Sequence, residues 1–213
     1  MRMPPFLVIC CLLALCPVLL AKPVALNDDA IRMVGRFTED FRFGWTGSMI
    51  ETEFSGTSIA ADLEVVDGDA AGLTIVVDGA SRFLKLTKGR QLYTLADGLA
   101  PALSHSIEIF KRSEGGKGEV EFHGFEISDD GRVVLPEAPQ RKILVIGDSI
   151  TCGYGNEAKT LDEGNSVENQ NGYLSYAPFA GPADKGGHYH PSVKKHKSMA
   201  AELVAEIERL AEW

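Results

Sequence analysis

The 213-residue chain is 45% hydrophobic and 24% charged, the balance of a globular protein that can bury a core and not that of a disordered or fibrous one. Its 21 lysines and arginines against 30 acids give a formal charge of −9, with no basic run longer than two residues, so it lacks the clustered cations by which proteins neutralise nucleic-acid phosphates. The length allows one large domain or two modest ones.

Met1 to Pro5 carries one positive charge, Arg2, and Phe6 to Ala21 is apolar apart from the break at Pro17. The run falls short of the roughly 20 residues a membrane span needs and ends in a small residue, which predicts a cleaved signal peptide over 1–21 and a secreted or periplasmic protein with no membrane span. Leu13-Ala14-Leu15-Cys16 faintly resembles a lipid-attachment box, but bulky Leu15 stands where such boxes want a small residue. Cleavage after Ala21 removes Cys10, Cys11 and Cys16 and leaves Cys152 alone. A single cysteine excludes an internal disulfide and a cysteine metal cluster.

Residues 27–137 read as an all-β domain. Phe41, Phe43 and Trp45 alternate with Arg42 and Gly44; Ile59, Ala61, Leu63 and Val65 form a second alternating run; Leu73, Ile75 and Val77 form a third. Each predicts a strand with one buried face, and Trp45 is expected in the core. Asp67-Gly68, Asp78-Gly79, Asp97-Gly98 and Asp130-Gly131 are dipeptides that accept the positive φ angles of tight turns. Further strands are expected at Met49–Phe54, Phe83–Leu86, Leu103–Lys111 and Glu119–Ile127, with a bulge where the apolar phase switches at Gly124. Eight or more short strands in this span predict an antiparallel β-sandwich of jelly-roll type.

The texture changes at Pro136 and Pro139. Lys142 is followed by Ile143-Leu144-Val145-Ile146, a continuous apolar run typical of a strand covered on both faces, and then by Gly147-Asp148-Ser149-Ile150-Thr151. Near the end of the chain Val193, His196, Ala200, Leu203, Ile207 and Leu210 recur every three or four residues, predicting an amphipathic helix from Ser192 to Ala211 with Pro191 at its mouth. Residues 141–213 therefore read as α/β, and the whole chain as a two-part α+β protein. It has no internal repeats.

Ser149 follows a buried-strand pattern and a glycine, a position from which a hydroxyl projects at the carboxyl edge of a sheet with backbone N–H groups near it. A hydroxyl needs a base to become a nucleophile. His105 and His123 fall inside sandwich strands and read as structural or surface residues. His196 lies on the helix stripe and reads as packed, leaving His188 and His190 in the loop before the helix. Cys152 reads as an inert buried thiol rather than a nucleophile. A metal held by His188, His190 and His196 has no carboxylate at a fixed spacing to complete it, so no metal is expected. Gly153-Tyr154-Gly155 lacks the Lys-Ser/Thr of a phosphate loop. Trp45 and Tyr93 are the aromatics considered for stacking on sugars.

RKILVIGDSITCGYGNE at 141–157 resembles the opening block of the SGNH, or GDSL-like, hydrolases, and HPSVKKHKSMAAEL at 190–203 resembles their closing block. GRFTEDFRFGWTGSMIETEFSGTS at 35–58, with the sandwich around it, is similar to the amino-terminal domain of carbohydrate esterase family 2, whose members resemble acetylxylan esterases. The resemblance implies Ser149 as nucleophile and one oxyanion donor, His190 as general base, no cofactor, and an acetylated polysaccharide or oligosaccharide as substrate. The carboxylate that the family often sets two or three residues before the histidine is replaced by His188 and Gly187, leaving Asp184 or a backbone carbonyl to orient the imidazole.

The family's flavodoxin-like layer has about five parallel strands, each βαβ unit taking roughly 30 residues or more, whereas Arg141 to Trp213 is 73 residues. The segments that supply the family's other oxyanion donors have no counterpart between Ser149 and His190. An internal deletion near Ala180 and Gly181 accounts for both, so the second part is expected to be a partial SGNH domain. Two functions follow: a secreted acetyl esterase impaired by the missing centre, or a non-catalytic carbohydrate-binding or remnant sandwich protein.

Overall fold

The computed structural model describes residues 21–139, 145–176 and 193–211, without the side chains of Lys195, Leu210 and Ala211. Nine strands form one sheet: β1 (Ala21–Ala25), β2 (Arg32–Val34), β3 (Arg42–Phe43), β4 (Met49–Ser55), β5 (Ile59–Val77), β6 (Ala80–Ala96), β7 (Ser104–Lys111), β8 (Glu119–Ser128) and β9 (Arg132–Val134). Every pairing is antiparallel. The spine is β5, which pairs with β8 over Ile59–Asp67 and with β7 over Leu73–Val77. Two leaves result, one of β1, β3 and β8 and one of β2, β4, β7 and β9, joined through the β5–β6 ribbon.

The leaves close on an apolar core to which each contributes: Phe122, Phe125 and Ile127 from one, Ile50, Phe54, Ile107 and Ile109 from the other, and Ile59, Leu63, Leu73 and Ile75 from the spine. Burying each such side chain stabilises the fold by about 1.5–3 kcal/mol. Among residues 21–139 there is no helix.

Asp67-Gly68 does not reverse the chain, as the dipeptide suggested, and the two runs flanking it are one 19-residue strand. Gly68 (φ +83°) lies where the register slips between Val65 and Ala70, and Gly89 (φ +91°) lies opposite in β6. Positive φ on both strands of the ribbon bends them together and carries it from one leaf to the other. A true two-residue turn forms at Asp78-Gly79, where φ is positive at both residues, +49° and +80°, as a type I′ hairpin requires. The bulge expected at Gly124 is present: Asp62 pairs with Gly124 and Leu63 with Phe122, skipping His123.

Three other differences have local causes. Expected over four residues, β6 runs for 17; only Leu86 and Leu95 of it are fully buried, so its outer arginines and lysines mask the alternation. Trp45 is 61% exposed instead of core, because β3 ends at Phe43 and Trp45 opens a turn in which its carbonyl accepts from Ser48 N–H at 3.1 Å. Arg36 covers its ring at 4.7 Å. Ahead of Asn27, β1 adds a strand along β8, from Ala21 opposite Ser128 to Ala25 opposite Gly124.

In the second part, 145–176 is a run of turns with a single 3-10 turn at Gly172–Leu174, capped by the Asn171 side chain, which accepts from Leu174 N–H. Helix α1 (Val193–Ala211) matches the predicted amphipathic helix. The expected strand does not extend into Val145 and Ile146, which are irregular, and Ile146 is 82% exposed; residues 142–144 lie outside the described residues. No parallel pair occurs among the described residues, and an apolar strand segment has no ladder to join without one.

Candidate active site and its seam with the sandwich

Ser149 lies partly buried in a tight turn. The Asp148 carboxylate accepts from Ile150 N–H at 2.9 Å and its carbonyl from Cys152 N–H at 3.2 Å. The Ser149 carbonyl accepts from Tyr154 N–H at 2.9 Å and from the Cys152 thiol at 3.2 Å. A Cβ at Gly147 would crowd the Thr151 side chain, so a larger residue there would have to displace it.

This turn is tied to the terminal helix. The Thr151 and Tyr176 hydroxyls share a hydrogen bond of 2.8 Å, and the Tyr176 ring stacks on His196, with centroids 6.0 Å apart and planes within 11°. Tyr176 N–H donates to His196 Nδ1 at 3.1 Å, so Nδ1 carries no proton. His196 is fully buried, the packed role its place on the helix stripe implied. Val193, the first residue of α1, donates from its N–H to the Asn156 carbonyl at 3.3 Å. The opening and closing blocks of the second part therefore meet in space. His190, Asp184 and His188 lie outside the described residues.

A polar seam fastens this part to the sandwich. Arg112, just beyond β7, has a side chain only 4% exposed. Its Nε donates to the Gln170 carbonyl at 2.8 Å and its Nη2 to the Glu168 carbonyl at 3.0 Å and to the Glu157 carboxylate. In return the Arg112 carbonyl accepts from Gly172 N–H at 2.8 Å. Lys111 beside it is fully buried, and its Nζ donates to the Ser113 hydroxyl at 2.7 Å and to the Ser113 and Lys117 carbonyls at 3.0 and 3.3 Å. Burial pushes the Lys111 ammonium down to about 7. A buried amine is tolerated when its donors are met in this way.

Behind the seam lies a buried amide network. Asn156 Nδ2 donates to the Asn171 and Leu174 carbonyls at 3.0 and 3.2 Å, and its Oδ1 accepts from Asn171 N–H at 3.0 Å. Gln170 Nε2 donates to Cys152 Sγ at 3.0 Å. Burial raises the Cys152 thiol to about 11, so it stays protonated at neutral pH and is no nucleophile. The backbone approaches closely at Gly153 (φ +70°), where a Cβ would collide with the Asn171 carbonyl.

Sequence reasoning missed the seam. One signal was available: Lys111 continues the inward row His105, Ile107, Ile109 of β7, and a lysine in the buried phase of a strand marks a cation needing internal acceptors. His105 ends the same row. Its Nδ1 meets the Asp78 carboxylate at 2.7 Å and its Nε2 the Ala100 carbonyl at 3.0 Å. Both partners are acceptors, which favours the imidazolium, and the Asp78 bond holds the His105 pKa above its ordinary value. His123 lies 3.2 Å from Glu64 on the bulge of β8. Both histidines are structural.

Comparison with known proteins places this architecture. Over 158 residues, 71% of its length, the chain is 35% identical to the cellulase/esterase CelE of Acetivibrio thermocellus, covering 19% of that protein. Over 134 residues it is 30% identical to an acetylxylan esterase/glucomannan deacetylase of Cellvibrio japonicus, covering 37% of it. A family two carbohydrate esterase from Clostridium thermocellum, solved in complex with cellohexaose, superposes with a TM-score of 0.64 at 33% identity, over 69% of this chain and 46% of that one. The chain thus spans less than half the length of each of these relatives. Residues 33–137 match the family description "Carbohydrate esterase 2 N-terminal", and together these likenesses assign this part of the chain to the amino-terminal domain of carbohydrate esterase family 2.

Proposed function

We propose that the chain is a secreted acetyl esterase of acetylated polysaccharides or oligosaccharides, with a jelly-roll sandwich supporting a partial SGNH domain and with activity impaired by the missing central segment. One observation carries the catalytic part of this reading: the Ser149 turn and the helix that follows His190 in sequence are joined through Thr151–Tyr176–His196 and Val193–Asn156. Ser149 Oγ attacks the acetyl carbonyl carbon while His190 takes its proton. The bond from that carbon to the sugar oxygen breaks, the sugar leaves with the proton from His190, and water releases acetate from the acyl-enzyme. Ser149 N–H serves as one oxyanion donor, and Asp184 or a backbone carbonyl orients the imidazole. No cofactor enters this chemistry.

Impairment is supported by the exposure of Ile146 immediately before the Ser149 turn. Among the described residues the turn has no parallel strands beside it, and a nucleophile needs a rigid support to be held to within a fraction of an ångström. The same observation favours a second reading, a non-catalytic carbohydrate-binding or remnant protein whose sandwich is complete in itself. An acetyl-ester assay on the purified chain beginning at Lys22 separates the two. Slow hydrolysis abolished by Ser149→Ala is expected; hydrolysis indifferent to Ser149→Ala leaves only the second reading, and rapid Ser149-dependent turnover removes the impairment.

A further inference from the structure

Above β5, on the outer face of the sandwich where residues 157–174 cross it, lies a pocket of about 220 Å³. Its floor is Thr74, which pairs with Phe83 of β6 on one side and Phe110 of β7 on the other. Thr74 is 2% exposed, and its hydroxyl has no hydrogen-bond partner among the described residues. A hydroxyl buried in this way forgoes about 1–3 kcal/mol unless something meets it. Phe83, one face of whose ring is covered by the Arg112 guanidinium at 4.5 Å, and Tyr173, set edge-on to Phe110 at 5.3 Å, form apolar walls.

The polar walls come from both parts of the chain. Arg112 and Glu157 pair across the seam, leaving Glu157 Oε1 as an acceptor. Each carboxylate at the pocket already faces a cation, Glu157 the Arg112 guanidinium and Glu168 the Lys85 ammonium. An anion bound here would face the carboxylates and a cation the guanidiniums, so the lining suits a neutral ligand rich in hydroxyls. Aromatic walls suit the C–H face of a sugar ring, and the volume, below the roughly 300–1,000 Å³ of drug-sized sites, suits one ring only.

We propose that this pocket binds a single pyranose residue of a neutral glycan, with the Thr74 hydroxyl bonded to a sugar hydroxyl and the ring against Phe83 and Tyr173. Ser149 is not among its lining residues, and the proposal rests only on the carbohydrate side of the reading above. Amide NMR titration of the full chain with xylose, glucose and xylotriose tests it. A saturable response confined to Thr74, Phe83, Tyr173 and their neighbours is expected, at millimolar affinity. Thr74→Val, which keeps the shape and removes the hydroxyl, is expected to weaken binding about 3- to 10-fold, and Phe83→Ala on the half-exposed rim to weaken it further. Ser149→Ala leaves this binding unchanged while removing any hydrolysis, so failure of the esterase reading and failure of this one are read in different channels. No saturable response, a response centred elsewhere, an unchanged affinity in both pocket variants, or displacement of the sugar by inorganic phosphate would each overturn the proposal.

Discussion

The sandwich and the segment docked on it are held by opposite means. In the sandwich, two leaves close on phenylalanines, isoleucines and leucines, and ionisable groups sit at the ends of the buried row, His105 at one end of β7 and Lys111 at the other. Across 145–176 the buried residues are largely amides and turns, and the attachment runs through Arg112, Glu157 and the carbonyls of Glu168 and Gln170. Apolar burial is non-directional and tolerates a lost neighbour by degrees. A polar clasp is directional and fails when one partner goes, because the remainder is left buried and unmet.

The largest effect that sharpens this contrast is Phe122→Ala, a fully buried ring edge-on to Phe125 at 4.9 Å. It is expected to cost about 3–5 kcal/mol in urea unfolding and to lower protection across all the strands together. Loss of protection confined to β8 would show that the leaves are not one cooperative unit. Next comes Arg112→Leu, expected to cost about 3 kcal/mol and to raise amide hydrogen exchange at 152–174 while strands β4, β5, β7 and β8 stay protected. Equal loss in the strands would erase the distinction between the two regions.

The smallest effect is a pH slope in the sandwich. Because the folded pKa of His105 is raised above 6.5, chiefly by its bond to Asp78, its contribution is complete below pH 6.5 and is lost as pH rises through the folded value. The Asp78 pKa is lowered below 3.8, chiefly by the same bond, so its contribution is present above pH 3.8 and is lost as pH falls through the folded value. The pair therefore stabilises most between these limits. Subtracting the melting curves of His105→Gln from those of the native protein should isolate a stability difference that shrinks as pH rises above 6.5; a difference flat from pH 5 to 9 would contradict the imidazolium assignment.

Much of this was legible in the residues, and the exceptions share a cause. Alternation located β4, β7 and β8 to within a residue or so, Asp78-Gly79 marked its hairpin, the phase switch at Gly124 marked the bulge, and the three- and four-residue period marked α1. Asp67-Gly68 looked the same as Asp78-Gly79 yet became a bend, because whether a positive φ reverses or bends a strand depends on Gly89 opposite it. Trp45 continued an alternating run but left it, since β3 stops at Phe43. In the candidate site, Ser149 was singled out by its motif alone, while Arg112, Glu157 and Asn156, which fasten the surrounding turns, belong to no local pattern.

The sequence by itself determined the elements whose signals are short-range: the period-two strands, the type I′ turn and the terminal helix. Tertiary structure alone decided that β5 is one strand shared by two leaves, that Lys111 and Arg112 become buried basic groups met by carbonyls, and that Ile146 is exposed rather than covered. The physical reason is range. A turn or an amphipathic period is satisfied by its own neighbours, whereas a buried charge or a strand-forming apolar run is stable only where residues distant in sequence supply its acceptors or its ladder.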